Sequence, residues 1–150
     1  MTILPYDCCA CTAGPEWVTR ALRTSQRIAA DNACTSLEVR PLGSSGLLGE
    51  MVLVTWAFAQ PVPFAAEVVA KFTPASKKLQ AISLTLGLFS CEFHYYRYLS
   101  ARSAVRCPQL IYGDFHYRSH RFMLILEKVD GTCAPTNPPA TQRAAALFHR

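Results

Sequence analysis

Ala66-Glu67-Val68-Val69-Ala70-Lys71-Phe72 is a short β-branched run with a single cation inside it. Valines crowd the preceding turn of a helix but fit a pleated surface, so the run predicts a strand, apolar on both faces except at Lys71. A lone ammonium in such a strand is costly to desolvate unless an anion meets it. The chain offers two: a phosphate brought up by the glycine-spaced stretch before the strand, and Glu92 on a helical pattern after it. A lysine on an edge strand can also snorkel to water, so the neighbouring elements decide between the two readings. Alternation by twos sets Glu67, Val69 and Lys71 on one face and Val68, Ala70 and Phe72 on the other. Val69 then floors the pocket that Lys71 reaches into.

Upstream, Glu50 to Phe58 is rich in β-formers and ends at Pro61 and Pro63, while Leu37-Glu38-Val39-Arg40 alternates as a shorter strand. Between these two strands Gly43, Gly46 and Gly49 recur at every third position, a spacing that suits either a plain hairpin turn or a backbone that approaches a ligand closely. The order strand, glycine turn, strand, proline turn, strand predicts an antiparallel meander. Before it, Pro15 to Asp31 reads as a helix, with Pro15 at its first position, Asn32 as its stop, and Trp17, Val18, Ala21, Leu22 and Ile28 on one apolar face.

Downstream, the period changes. Leu79, Ile82, Leu86, Phe89, Phe93, Tyr96 and Leu99 recur at threes and fours, which predicts one long helix from Ser76 to Ser100. Glu92 falls beside its apolar face, where a carboxylate needs a cation; Lys71 is one candidate, and Arg97 or Arg102 on a solvated flank are others. Pro108 to Tyr112 and Arg121 to Leu126 read as two more strands around a polar turn, 113–120, that holds His116 and His120. A proline-rich connection from Ala134 leads to a last apolar helix, Gln142 to His149.

Composition bounds the function. With 150 residues, half of them hydrophobic, the chain suits one domain with a real core. Its longest uncharged apolar span, Met51 to Ala66, is 16 residues broken by two prolines, too short to cross a bilayer. The start carries no lysine or arginine before its apolar residues, so no secretory signal is read there and a cytoplasmic location is expected. Seven cysteines cannot all pair, and Cys8, Cys9 and Cys11 are too crowded for a disulfide framework. No second ligand pair stands at zinc spacing, so free thiols and no metal site are expected. The net charge of +5 is spread along the chain without a basic run, which suits an anionic small ligand better than nucleic acid.

Taken in order, these stretches resemble the amino-terminal lobe of protein-kinase-like phosphotransferases of small molecules, the aminoglycoside phosphotransferase, choline kinase and ecdysteroid-kinase-like group. The residues that carry the resemblance are Gly46-Leu47-Leu48-Gly49-Glu50-Met51-Val52-Leu53-Val54-Thr55, Val68-Val69-Ala70-Lys71-Phe72, Cys91-Glu92-Phe93-His94-Tyr95-Tyr96-Arg97-Tyr98-Leu99, Arg106-Cys107-Pro108 and Met123-Leu124-Ile125-Leu126-Glu127. The resemblance covers roughly Leu37 to Arg150, about three quarters of the chain, with 21 residues from Lys71 to Glu92 and 35 from Glu92 to Glu127. The resemblance implies an α+β fold, an antiparallel five-stranded sheet with a long packed helix, preceded by an amino-terminal helix. It also implies a division into an amino-terminal extension (1–36), the lobe itself (37–133) and a linker with the start of a further helix (134–150).

By the same resemblance the ligand is ATP. Lys71 would hold its α- and β-phosphates, Glu92 would orient Lys71, Gly43, Gly46 and Gly49 would approach the phosphates, and Val69 with a hinge at Glu127, Lys128 and Val129 would receive the adenine. The glycine spacing departs from the usual kinase loop. The family's catalytic loop, H-x-D-x-x-x-x-N, and its magnesium-holding aspartate belong to a carboxy-terminal lobe, and no such motif occurs in these 150 residues. Two functions are therefore expected: a partial phosphotransferase, inactive alone and with magnesium only if that lobe is supplied, or a stand-alone module that binds a nucleotide or a partner protein. Without the lobe, the strand Phe122 to Leu126, the glycine turn and Val69 are expected to face water and drive self-association.

Overall fold

Strand-period stretches form strands and helix-period stretches form helices, with shifted boundaries. The computed structural model describes residues 14–42 and 49–130. In chain order these hold helix α1 (Pro15–Thr24), strands β1 (Cys34–Pro41), β2 (Glu50–Phe58) and β3 (Glu67–Phe72), and helices α2 (Lys77–Thr85) and α3 (Leu88–His94). A wider π-wound turn (Tyr95–Leu99), a 3-10 turn (Ser100–Arg102) and strands β4 (Leu110–His116) and β5 (Arg121–Glu127) follow. The strands make one antiparallel sheet in the order β1-β2-β3-β5-β4, so the α+β architecture with a five-stranded antiparallel sheet stands.

Register explains how the sheet is covered. Val68, Ala70, Phe72, Val54, Trp56, Met123 and Ile125 share one face, on which α1 lays Trp17, Val18, Ala21 and Leu22. Phe122, Leu124 and Leu126 point to the other face, where Phe89 and Phe93 of α3 and Phe115 of β4 pack on them. Phe89 stacks on Phe122 with ring centroids 4.5 Å apart, and Phe93 on Phe115 at 5.7 Å. Such stacks add about 0.5–1.5 kcal/mol each beyond the area they bury. Gly113 spares a tight contact within the sheet: a Cβ there would stand 3.2 Å from Leu124 Cδ2, while Phe93 Cε2 of α3 would lie at an ordinary 3.5 Å.

Four expectations are corrected. The strand Phe122 to Leu126 does not face water; all five residues are buried, because one helix covers each of its faces. The long helix from Ser76 to Ser100 is not continuous. Gly87 takes a left-handed conformation (φ 64°) that ends one helix and begins another, and the π-wound turn re-phases the second after His94. As a result Ile82, Leu86 and Leu99 of the expected apolar face are exposed, and Ser83 is the buried residue of α2. The first helix ends at Thr24 rather than Asp31, although Ile28 beyond it still enters the core. Residues Gly113 to His116, expected in a turn, continue β4 instead.

Asn32, read as a helix stop, has a larger task. Its buried amide donates to the Gln60 carbonyl at 3.2 Å and accepts from the Gln60 N–H at 2.9 Å, tying the α1–β1 connection to the proline turn after β2. Arg27 donates from Nε to the Ile111 carbonyl at 2.8 Å and from Nη2 to the Leu110 carbonyl, pinning the same connection to β4. The described part of the segment expected as an extension, residues 14–36, thus contributes to the core. The last expected helix, Gln142 to His149, and the cysteines at 8, 9, 11 and 133 lie outside the described residues.

Two stability measurements check this packing. Leu22, fully buried on α1, should cost about 2–5 kcal/mol when cut to alanine, whereas Leu84 on the open side of α2 should cost under about 0.5 kcal/mol. Urea unfolding of the two variants that gave equal losses would mean that α1 is not part of the core. Tyr112 stands edge-on to Trp17, and its phenol is pushed up to about 12, by burial first and by the Asp114 carboxylate second. An exposed tyrosine in the unfolded chain ionises near about pH 10. The folded state therefore keeps the proton that the unfolded state has lost, and stability falls as pH rises through that window. Against Tyr112→Phe, the native chain should lose additional stability between about pH 10 and 12 and none below; parallel curves throughout would contradict it.

Candidate functional site

β3 places Lys71 between Met51 of β2 and Leu124 of β5, on the face that α3 partly covers. α3 is fixed by its two phenylalanine stacks, and Glu92 lies between them in sequence, beside the buried stripe. The two side chains meet. Lys71 Nζ donates to both carboxylate oxygens of Glu92, at 2.6 Å and 2.8 Å. The side chains are 20% and 27% exposed, so the pair sits at a boundary where charge-assisted bonds outweigh those in open water, without the desolvation cost of a deep ion pair. Neither Arg97 nor Arg102 takes Glu92.

Gly49, the last of the three spaced glycines, is buried against this lysine. A Cβ at that position would lie 2.8 Å from Lys71 Cε and 3.3 Å from the Phe72 carbonyl oxygen. The glycine therefore leaves the lysine stem the room to turn toward Glu92. Gly43 and Gly46 lie outside the described residues.

Reading the register across the sheet gives three rows on this face. Met51, Lys71 and Leu124 form one, Arg40, Leu53, Val69 and Leu126 the next, and Glu38, Thr55 and Glu67 the third. Val69 and Leu53 are half-buried, so the middle row presents an apolar strip with a charged group on either side. On the far side Glu67 takes Lys128 Nζ at 2.8 Å and Arg40 Nη2 at 3.5 Å, Arg40 also approaches Glu38 at 3.6 Å, and Lys128 reaches Asp130 at 3.2 Å. The hydrogen bonds that Lys128 donates to Glu67 and Asp130 hold its ammonium pKa above the ordinary lysine range.

The three residues expected as a hinge divide. Glu127 is tied to the approach to β4, its N–H donating to the Gln109 carbonyl at 2.8 Å and its carboxylate accepting from the Gln109 N–H at 3.1 Å. Lys128 folds back on Glu67, and Val129 is exposed. Among the described residues the backbone groups of Lys128, Val129 and Asp130 have no backbone partner. The bridging of Glu67 was not foreseen. Alternation had placed it on the Lys71 face, but its partners come from β1 and from beyond β5, and only the register supplies them.

Among the described residues no group of three or more histidines, cysteines or carboxylates is placed to hold a metal ion. The described cysteines, Cys34, Cys91 and Cys107, are free thiols, and burial pushes the Cys34 thiol up. Among the described residues no helix is long and apolar enough to cross a membrane. His116 and His120 flank the turn before β5 at the exposed end of the sheet, away from Lys71.

A double-mutant cycle checks the central pair. Glu92→Gln and Lys71→Met should each cost about 1–3 kcal/mol in denaturant unfolding, and the double variant clearly less than their sum. Strict additivity would mean that the two charges do not interact.

Compared with known proteins, the chain matches no family model, no curated protein and no solved structure.

Proposed function

We propose that this chain holds ATP as the nucleotide-binding lobe of a protein-kinase-like small-molecule phosphotransferase. The single observation that carries the reading is the two-pronged Lys71–Glu92 bond between strand and helix, beside an open apolar row. A phosphate-binding lysine must be aimed before its ligand arrives, since an ammonium on four rotatable carbons otherwise spends its binding energy on ordering. Glu92 does the aiming, and Gly49 leaves the stem room to obey it.

In this reading the α- and β-phosphates meet Lys71 at the rim of the site, the base lies on Val69 and Leu53, and the backbone after Glu127 meets the base edge. The hinge is Glu127, Lys128 and Val129, with Lys128 held in place by Glu67. The residues that would position an acceptor hydroxyl and hold magnesium belong to a carboxy-terminal lobe, and these 150 residues contain no H-x-D-x-x-x-x-N motif. The chain therefore supplies a donor site and no transfer step of its own.

A second reading, a stand-alone nucleotide- or protein-binding module, has one observation in its favour. With α1 on one face and α3 on the other, the apolar strand β5 is closed from water, which is what an independent domain requires.

Titration with a fluorescent ATP analogue tests the proposal. Saturable binding should weaken about ten- to a hundredfold in Lys71→Ala, the loss of one charge-assisted contact. Binding unchanged by that substitution would refute the assignment. The purified chain should also transfer no phosphate from ATP to an amino sugar or a choline-like alcohol, and turnover that survives repurification would show that it has machinery of its own.

A further inference from the structure

A second concave surface lies behind α3. The π-wound turn and the approach to β4 enclose an open cleft of about 390 Å³ whose lining includes Arg27 and Arg97 and no carboxylate. Tyr96, Ser100 and Gln109 add polar groups, and Pro108 and Leu110 add apolar area. Two acids on neighbouring elements are already engaged, Glu92 by Lys71 and Glu127 by the Gln109 N–H. Arg97 has no acidic partner among the described residues, while Arg27 is held rigid by the Leu110 and Ile111 carbonyls.

The walls are braced as well as charged. The Tyr95 hydroxyl and Cys107 Sγ lie 2.8 Å apart, and the same thiol donates to the Val105 carbonyl at 3.3 Å, which holds the loop before β4 against the turn. Ser100 Oγ donates to the Tyr96 carbonyl at 2.9 Å and closes the other end. A π-wound turn is a costly irregularity that persists chiefly where it shapes a site, and here both Tyr96 and Arg97 lie within it.

We propose that this cleft binds a small oxyanion carried on a flat apolar body, an aryl phosphate or aryl carboxylate, separately from the nucleotide face. The arginines supply the charge complement, one of them pre-ordered, and Tyr96, Pro108 and Leu110 receive the body. The cleft touches both elements of the nucleotide site: Tyr96 lies one turn beyond Glu92, and Gln109 is bonded in both directions to Glu127.

Amide NMR titration with phenyl phosphate, and in parallel with inorganic phosphate, tests this. Phenyl phosphate should give saturable shifts centred on Tyr96, Arg97, Ala101 and Gln109, with an affinity at least about tenfold above that of inorganic phosphate. Arg97→Ala and Arg97→Glu should abolish the shifts, and Lys71→Ala should leave them intact. Because Arg97 is exposed, its variants should keep the native spectrum elsewhere. Shifts that never saturate, that centre on Gly49 and Lys71, or that survive both Arg97 variants would overturn the proposal, as would equal affinity for the two probes.

Discussion

A strand without a polar face has to be covered twice. Phe122 to Leu126 is five apolar residues in succession, and between β3 and β4 in the interior of a five-stranded sheet it exposes side chains alternately to both sides. Met123 and Ile125 need α1, and Phe122, Leu124 and Leu126 need α3. Much of the remaining architecture follows from meeting that need. Asn32 and Arg27 hold the α1 connection in place with bonds to main-chain groups, and Gly113 leaves Leu124 its room in the sheet.

Coverage by α3 is incomplete by construction. A helix of seven residues is about 10 Å long, enough to roof β5 and β4 but not β3, β2 and β1 on the same face. At the edge of that roof, apolar packing gives way to open sheet, and Lys71 and Glu92 meet there. The pair can be strong because it is partly sheltered, and it stays reachable because the shelter stops. Beyond it the half-buried Leu53 and Val69 row and the Arg40–Glu67–Lys128 cluster occupy surface that no helix claims. Surface pairs of the latter kind add little stability, since water screens them. Their importance lies in where they hold the chain after β5.

The proposed nucleotide site and the cleft behind α3 are thus two consequences of one short helix. Its front edge carries Glu92 to the sheet, and its continuation in the π-wound turn carries Tyr96 and Arg97 away from it. Gly87 and the π-wound turn, the two places where regular winding fails, are what confine the regular helix to that length. They also leave Ile82, Leu84 and Leu86 in contact with water, and the residue that α2 buries is Ser83 rather than a leucine.

The sequence by itself determined the strands, their antiparallel meander and the apolar face of α1, and it offered Glu92 as one of two anions for Lys71. These follow from local periodicity and from the cost of leaving a charge unpaired among apolar neighbours, both of which are written in consecutive residues. Only the tertiary structure decided that Phe122 to Leu126 is closed on both sides, since nothing in a run of five apolar residues says whether its cover comes from the same chain. Apolar spacing at threes and fours continues through Gly87, so the break in the helix was invisible until the glycine's left-handed backbone, which a pattern of side chains does not encode, divided it. The bridge from Glu67 to Arg40 and Lys128, and the pairing of Arg27 with Arg97 around one cleft, depend on strand register and on contacts between elements as many as 84 residues apart, and those distances are set by packing, not by spacing along the chain.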